Sequence, residues 1–96
     1  MLPIQEFSTR IVAEIIRRQP ASKERTRFVW QIVAGPTLAR VTNVDLVDGT
    51  LTVTAADDRW LTEIRRARQT ILHRLQHLLG PDAVTRVEIT LPNTHP

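Results

Sequence analysis

Val44-Asp45-Leu46-Val47-Asp48-Gly49-Thr50-Leu51-Thr52-Val53 reads as two strands joined by a two-residue turn. Asp-Gly is a pair that tight hairpins favour, because both central positions need a positive φ. Before the turn, Val44 and Leu46 alternate with Asn43, Asp45 and Val47. After it, Leu51, Val53 and Ala55 face one way and Thr50, Thr52 and Thr54 the other. A strand patterned like this is covered on one face only.

Helical signals flank the hairpin. Downstream, Asp57 or Asp58 can cap a third helix, and both carboxylates suit its positive start. Leu61, Ile64, Ala67, Ile71, Leu72, Leu75, Leu78 and Leu79 predict one buried stripe along that helix, which ends at Gly80-Pro81. Val87, Ile89 and Leu91 then alternate with Arg86, Glu88 and Thr90 as a last strand, and the tail 92–96 is expected to fray. Upstream, Ile4, Phe7, Ile11, Val12, Ile15 and Ile16 predict an amphipathic first helix ending before Pro20. Its polar side carries Glu6, Arg10, Glu14, Arg17 and Arg18. Ser22 is a suitable N-cap for a second helix. The apolar residues Phe28, Val29, Trp30, Ile32 and Val33 surround nearly its whole cylinder, which predicts burial on most sides. Gly35 suits the end of that helix, and Pro36 either stops the chain of hydrogen bonds or begins one more turn through Arg40. The order is α-α-β-β-α-β. This is an α+β arrangement, a three-stranded sheet with helices on one face, in a single domain over 1–96.

Composition narrows the function classes. The chain has 96 residues, a net charge of +3 and no cysteine. Disulfides and thiolate metal sites are therefore excluded, which fits a cytoplasmic protein. No basic start precedes an apolar block, so no signal peptide is read, and charges interrupt every apolar run, so no membrane span is expected. The cations are arginines except Lys23. Arginine forks onto phosphate and carboxylate, although a genome rich in arginine codons gives the same bias. The positive excess lies in the helical segments 1–30 and 57–79, whereas 31–56 and 80–96 are slightly negative.

Enzyme chemistry finds no support: there is no phosphate loop and no elbow serine, and Asp57-Asp58 is explained as a cap. No cofactor is implied. His73 and His77 have the i, i+4 spacing of a helical metal pair but no evident third ligand, and read as exposed histidines. Trp30 and Trp60 could stack bases, yet they lie at or beside apolar stripes and read as core. The open sheet face would show threonines, Arg86 and Glu88 without an aromatic, a poor platform for bases. The candidates for nucleic-acid binding are helix cations. Arg59, Arg66 and Arg74 approximate one outer side of the third helix, and Arg65 and Arg68 flank its stripe. Arg17, Arg18, Lys23, Arg25 and Arg27 crowd the junction of the first two helices. Convergence of the two groups on one face would make a phosphate-binding patch. The plainer reading is a solvated helix surface, with Glu63 pairing to Arg59 or Arg66.

The series Trp30, Gly35, Asp48, Gly49, Leu51, Val53, Trp60, Leu75, Gly80 and Val87 resembles, in order and approximate spacing, the DciA-like family of bacterial replicative-helicase operators. The resemblance is strongest over 28–91. It implies a KH-like fold of the second type, partnership with the replicative helicase during loading, and DNA binding. Glycines occur only at 35, 49 and 80, so the Gly-x-x-Gly loop with which KH domains clamp a backbone is missing. Two functions are therefore weighed. The first is a non-enzymatic accessory of bacterial DNA replication that binds the helicase, and binds single- or double-stranded DNA weakly and without sequence preference. The second is a protein-interaction module without a DNA role, to which a chain with little beyond the domain is suited.

Overall fold

The computed structural model describes residues 4–92, with side chains from residue 11 onward. The expected apolar positions Ile4 and Phe7, the polar Glu6 and Arg10, and the tail beyond Pro92 lie outside the described side chains. Eight elements follow in order: α1 (Ile4–Arg18), α2 (Lys23–Ala34), α3 (Pro36–Arg40), β1 (Thr42–Val47), β2 (Thr50–Ala55), α4 (Asp58–Arg66), α5 (Arg68–Leu79) and β3 (Arg86–Thr90). The α+β class holds, with a three-stranded mixed sheet of order β1-β2-β3.

The hairpin forms as its turn residues require. Asp48 and Gly49 both take positive φ, 50° and 82°. β1 and β2 pair antiparallel, with Val44 opposite Val53 and Leu46 opposite Leu51. β3 then lies parallel to β2, with Val87 beside Leu51 and Ile89 beside Val53. The turn also anchors β3: the Gly49 carbonyl accepts from the Thr85 and Arg86 amides at 2.7 and 3.2 Å. A Cβ on Gly49 would stand 3.0 Å from Thr85 Oγ1, a close approach that the threonine side chain would have to relieve, and the positive φ itself favours glycine.

Leu51, Val53 and Ala55 of β2 are buried under the helices, as their alternation predicts. Above them lie Ile64, Ile71, Leu75, Leu78 and Leu79 of α4 and α5, Val29, Trp30 and Val33 of α2, and Ala13 and Ile16 of α1. Val84, in the loop before β3, is fully buried as well. Its carbonyl accepts from Gln76 Nε2 at 3.0 Å, which satisfies a polar group that burial would otherwise orphan. Trp30 is core, and its indole N–H donates to Thr42 Oγ1 at 2.8 Å. That hydroxyl in turn donates to the Leu38 carbonyl at 2.7 Å, tying α2, α3 and β1 together. Trp60 is half-buried against the same core.

Three expectations need correction. The predicted third helix is two helices, α4 and α5, which meet at Ala67 (φ −93°, ψ 5°). They have different tasks: α4 packs on β2 and β3, whereas α5 also covers α1 and α2. A straight rod of this length would extend about 33 Å at 1.5 Å per residue, and a bend lets the stripe follow the sheet and then the helices. Second, α2 is not buried on most sides, because Phe28 and Ile32 face solvent. Third, only part of the first helix's stripe is covered, since Ile11 and Ile15 are exposed. Pro36 begins an extra turn, α3, at its first position, where no amide hydrogen is needed.

Candidate nucleic-acid interface

Arg65 lies in the last turn of α4 and Arg68 begins α5, so the corner at Ala67 carries a guanidinium on each side. The corner closes on itself: the Ala67 amide donates to the Glu63 and Ile64 carbonyls, and the Ala67 carbonyl accepts from Ile71. It stands over β3, the outer strand of the sheet. Together they line a groove of about 700 Å³. Arg65, Arg68, Gln69 and Leu72 form the helical wall, and Thr52 with Thr85 through Thr90 forms the strand wall. Arg86 and Glu88 pair there at 3.3 Å. Three guanidiniums thus face one carboxylate, leaving the groove positive. As an edge strand, β3 also has main-chain groups on its outer side with no strand partner among the described residues.

The other sequence candidates are dispersed. Lys23 and Arg27, one turn apart on α2, line a second groove of about 460 Å³ beside β1, with Trp30, Asn43 and Asp45. β1 and β3 are opposite edges of the sheet. The two cationic groups therefore do not converge on one face. Arg17 donates from Nη2 to the His77 carbonyl at 2.7 Å and from Nε to the Leu78 carbonyl at 3.4 Å, closing the end of α5. Arg25 Nη1 donates to the Gln19 carbonyl at 3.1 Å, joining the start of α2 to the turn before it. Arg18 is exposed on α1. Arg59 lies 5.9 Å from the centroid of the Trp60 ring, a cation–π distance. Arg66 pairs loosely with Glu63 at 4.0 Å. Arg74 is exposed on α5 and is thus separated from Arg59 and Arg66 by the helix break.

Arg86 and Gln69 join the groove although neither was a sequence candidate. Their signal is tertiary: β3 lies at the sheet edge, under the α4–α5 corner. His73 and His77 are exposed on α5, and among the described residues no three metal-ligating side chains gather. No helix among the described residues is long and apolar enough to cross a membrane.

Guanidiniums beside an unpaired strand edge can meet phosphate oxygens with forked, charge-assisted hydrogen bonds. Stacking has little to work with there, since the groove has no aromatic lining. No curated protein matches the chain. The family model described as Dna[CI] antecedent, DciA, matches residues 3–89. That span runs from the start of α1 almost to the end of β3, and the chain accordingly belongs to the DciA family, whose role lies in bacterial DNA replication and the loading of its helicase.

Proposed function

We propose that this protein is a non-enzymatic, cytoplasmic accessory of the bacterial replicative helicase that holds DNA weakly, without sequence preference, in the groove between the α4–α5 corner and β3. Family membership over residues 3–89 carries the helicase half of this reading. The grouping of Arg65, Arg68 and Arg86 along an open strand edge supports the DNA half. The fold is used in a KH-like manner, with a helix corner and a sheet edge gripping the backbone. Because the corner is Arg-Arg-Ala-Arg and lacks glycine, side-chain charge replaces close main-chain approach. The action is positional: helicase and strand are kept together while the strand enters the ring. No ATP is consumed, because no nucleotide-binding motif is present.

Fluorescence anisotropy of labelled single- and double-stranded DNA at two salt concentrations tests the DNA half. Salt-sensitive binding that weakens in the Arg65→Ala/Arg68→Ala/Arg86→Ala variant is the expected result. Binding unchanged by these substitutions would move the site to another cation group. No binding at low salt would leave the second reading, a protein-docking module, which the exposed Phe28 and Ile32 favour.

A further inference from the structure

Helix α2 shows two large apolar side chains to solvent, one turn apart. Phe28 is 52% exposed and Ile32 46%, while Val29, Trp30 and Val33 between and beside them are buried. Spacing of i, i+4 stacks Phe28 and Ile32 on one side of the helix. With Gln31 of α2 and Pro36, Ala39 and Arg40 of α3 they line a groove of about 500 Å³. Scattered apolar residues on a surface are ordinary, whereas Phe28 and Ile32 are aligned on one side of α2 and border a groove.

Charge selects the occupant. Gln31 and Ala39 line both this groove and the one holding Lys23 and Arg27, so the two form one continuous surface. Its linings hold three cations, Lys23, Arg27 and Arg40, against the single carboxylate of Asp45. Glu24 lies one turn before Phe28. Among the described residues, none of the three cations has a carboxylate within ion-pair distance. The complementary shape is a helix with an apolar stripe at i, i+4 and acidic flanks. A second copy of this chain fits poorly. Its own exposed pair, Ile11 and Ile15, sits among Glu14, Arg17 and Arg18, and the net charge of +3 opposes association of like chains.

We propose that the α2–α3 face docks an acid-flanked amphipathic helix of the replicative helicase, leaving the β3 groove free for DNA. The proposal rests on the helicase reading above and adds the surface and the chemistry of the segment that meets it. Both main anchors are already exposed, so their replacement by serine leaves the core intact.

The test is biolayer interferometry of the full chain against purified replicative helicase from the same bacterium, with thermal melting as the check on folding. Phe28→Ser/Ile32→Ser should weaken binding by about tenfold or more, as removal of two interface anchors does, with the melting temperature nearly unchanged. Arg27→Glu/Arg40→Glu, which leaves the apolar pair in place, should weaken it as well, and serves should the first variant melt early. Wild-type affinity in both folded variants overturns the docking surface while sparing the helicase reading. Failure of the wild-type chain to bind helicase overturns that reading and this occupant together. Sedimentation of the chain alone supplies the last arm: self-association abolished by Phe28→Ser/Ile32→Ser would assign the face to a second copy and overturn the proposal.

Discussion

The two sides of the molecule repeat one plan with different chemistry. On each, two helices meet at a corner over an open sheet edge, with helical cations beside that edge. At α2–α3 the corner is Gly35-Pro36, and Gly35 takes φ +88°. At α4–α5 the corner is Ala67, whose φ of −93° and ψ of 5° leave the helical region but keep φ negative, where a side chain is tolerated. The first side shows Phe28 and Ile32 next to its cations, and the second shows cations and hydroxyls over a strand edge. A polyanion needs fixed positive charge and little else, whereas a protein partner needs apolar surface to bury. On the proposed reading, the first side would take the protein partner and the second the DNA.

The largest break in this comparison should come from Trp30→Ala. The indole is 2% exposed and anchors Thr42, so its loss should cost about 3–5 kcal/mol in urea unfolding. Next come the corners themselves. Gly35→Ala meets no atom within 4 Å of the new Cβ, so its cost, about 1–3 kcal/mol, is backbone strain alone. Ala67→Gly should cost only about 0.5–1 kcal/mol through added chain entropy. Equal costs at the two corners would erase the asymmetry drawn between them.

For the proposed DNA groove, removing Arg65, Arg68 and Arg86 together should lower DNA affinity about tenfold at low salt. It should also flatten the log–log salt dependence by roughly one unit per lost phosphate contact. Lys23→Ala/Arg27→Ala should leave that slope unchanged, and an equal effect would mean that DNA spans both edges. A smaller change tests the start of α4. The Asp57 carboxylate accepts from the Trp60 amide at 3.1 Å, so Asp57→Ala should lower stability by about 1 kcal/mol, read by thermal melting. Arg66→Ala should be the mildest, at about 0.5 kcal/mol or less, because its 4.0 Å pair with Glu63 is exposed.

Local signals were legible where each residue's preference agreed with the fold. Asp48-Gly49 fixed the hairpin, the alternation of Leu51, Val53 and Ala55 fixed its buried face, and Ser22 and Asp57 fixed two helix starts. The helix break at Ala67 was not legible. The stripe from Leu61 to Leu79 is continuous in period, and neither glycine nor proline interrupts it. Arg86 was set aside with the open sheet face for a related reason: on an isolated strand it is one cation beside Glu88 and among threonines. Phe28 and Ile32 misled in the opposite direction, because periodicity tells which residues prefer burial and not whether a neighbour exists to bury them.

By itself, then, the sequence determined the order of the strands and of the helical segments between them though not the α4–α5 break, the register of the hairpin, the buried side of β2, the absence of any thiol chemistry and the family resemblance. Each follows from short-range preferences or from residue identity. Tertiary structure decided that β3 lies at the edge beside the α4–α5 corner, that Arg65 and Arg68 line one groove with Arg86, and that Lys23 and Arg27 stand at the opposite edge. It also turned Arg17 to the end of α5, sixty residues away along the chain. These juxtapositions depend on which surfaces cover one another when the core closes, and that competition for burial involves the whole chain at once.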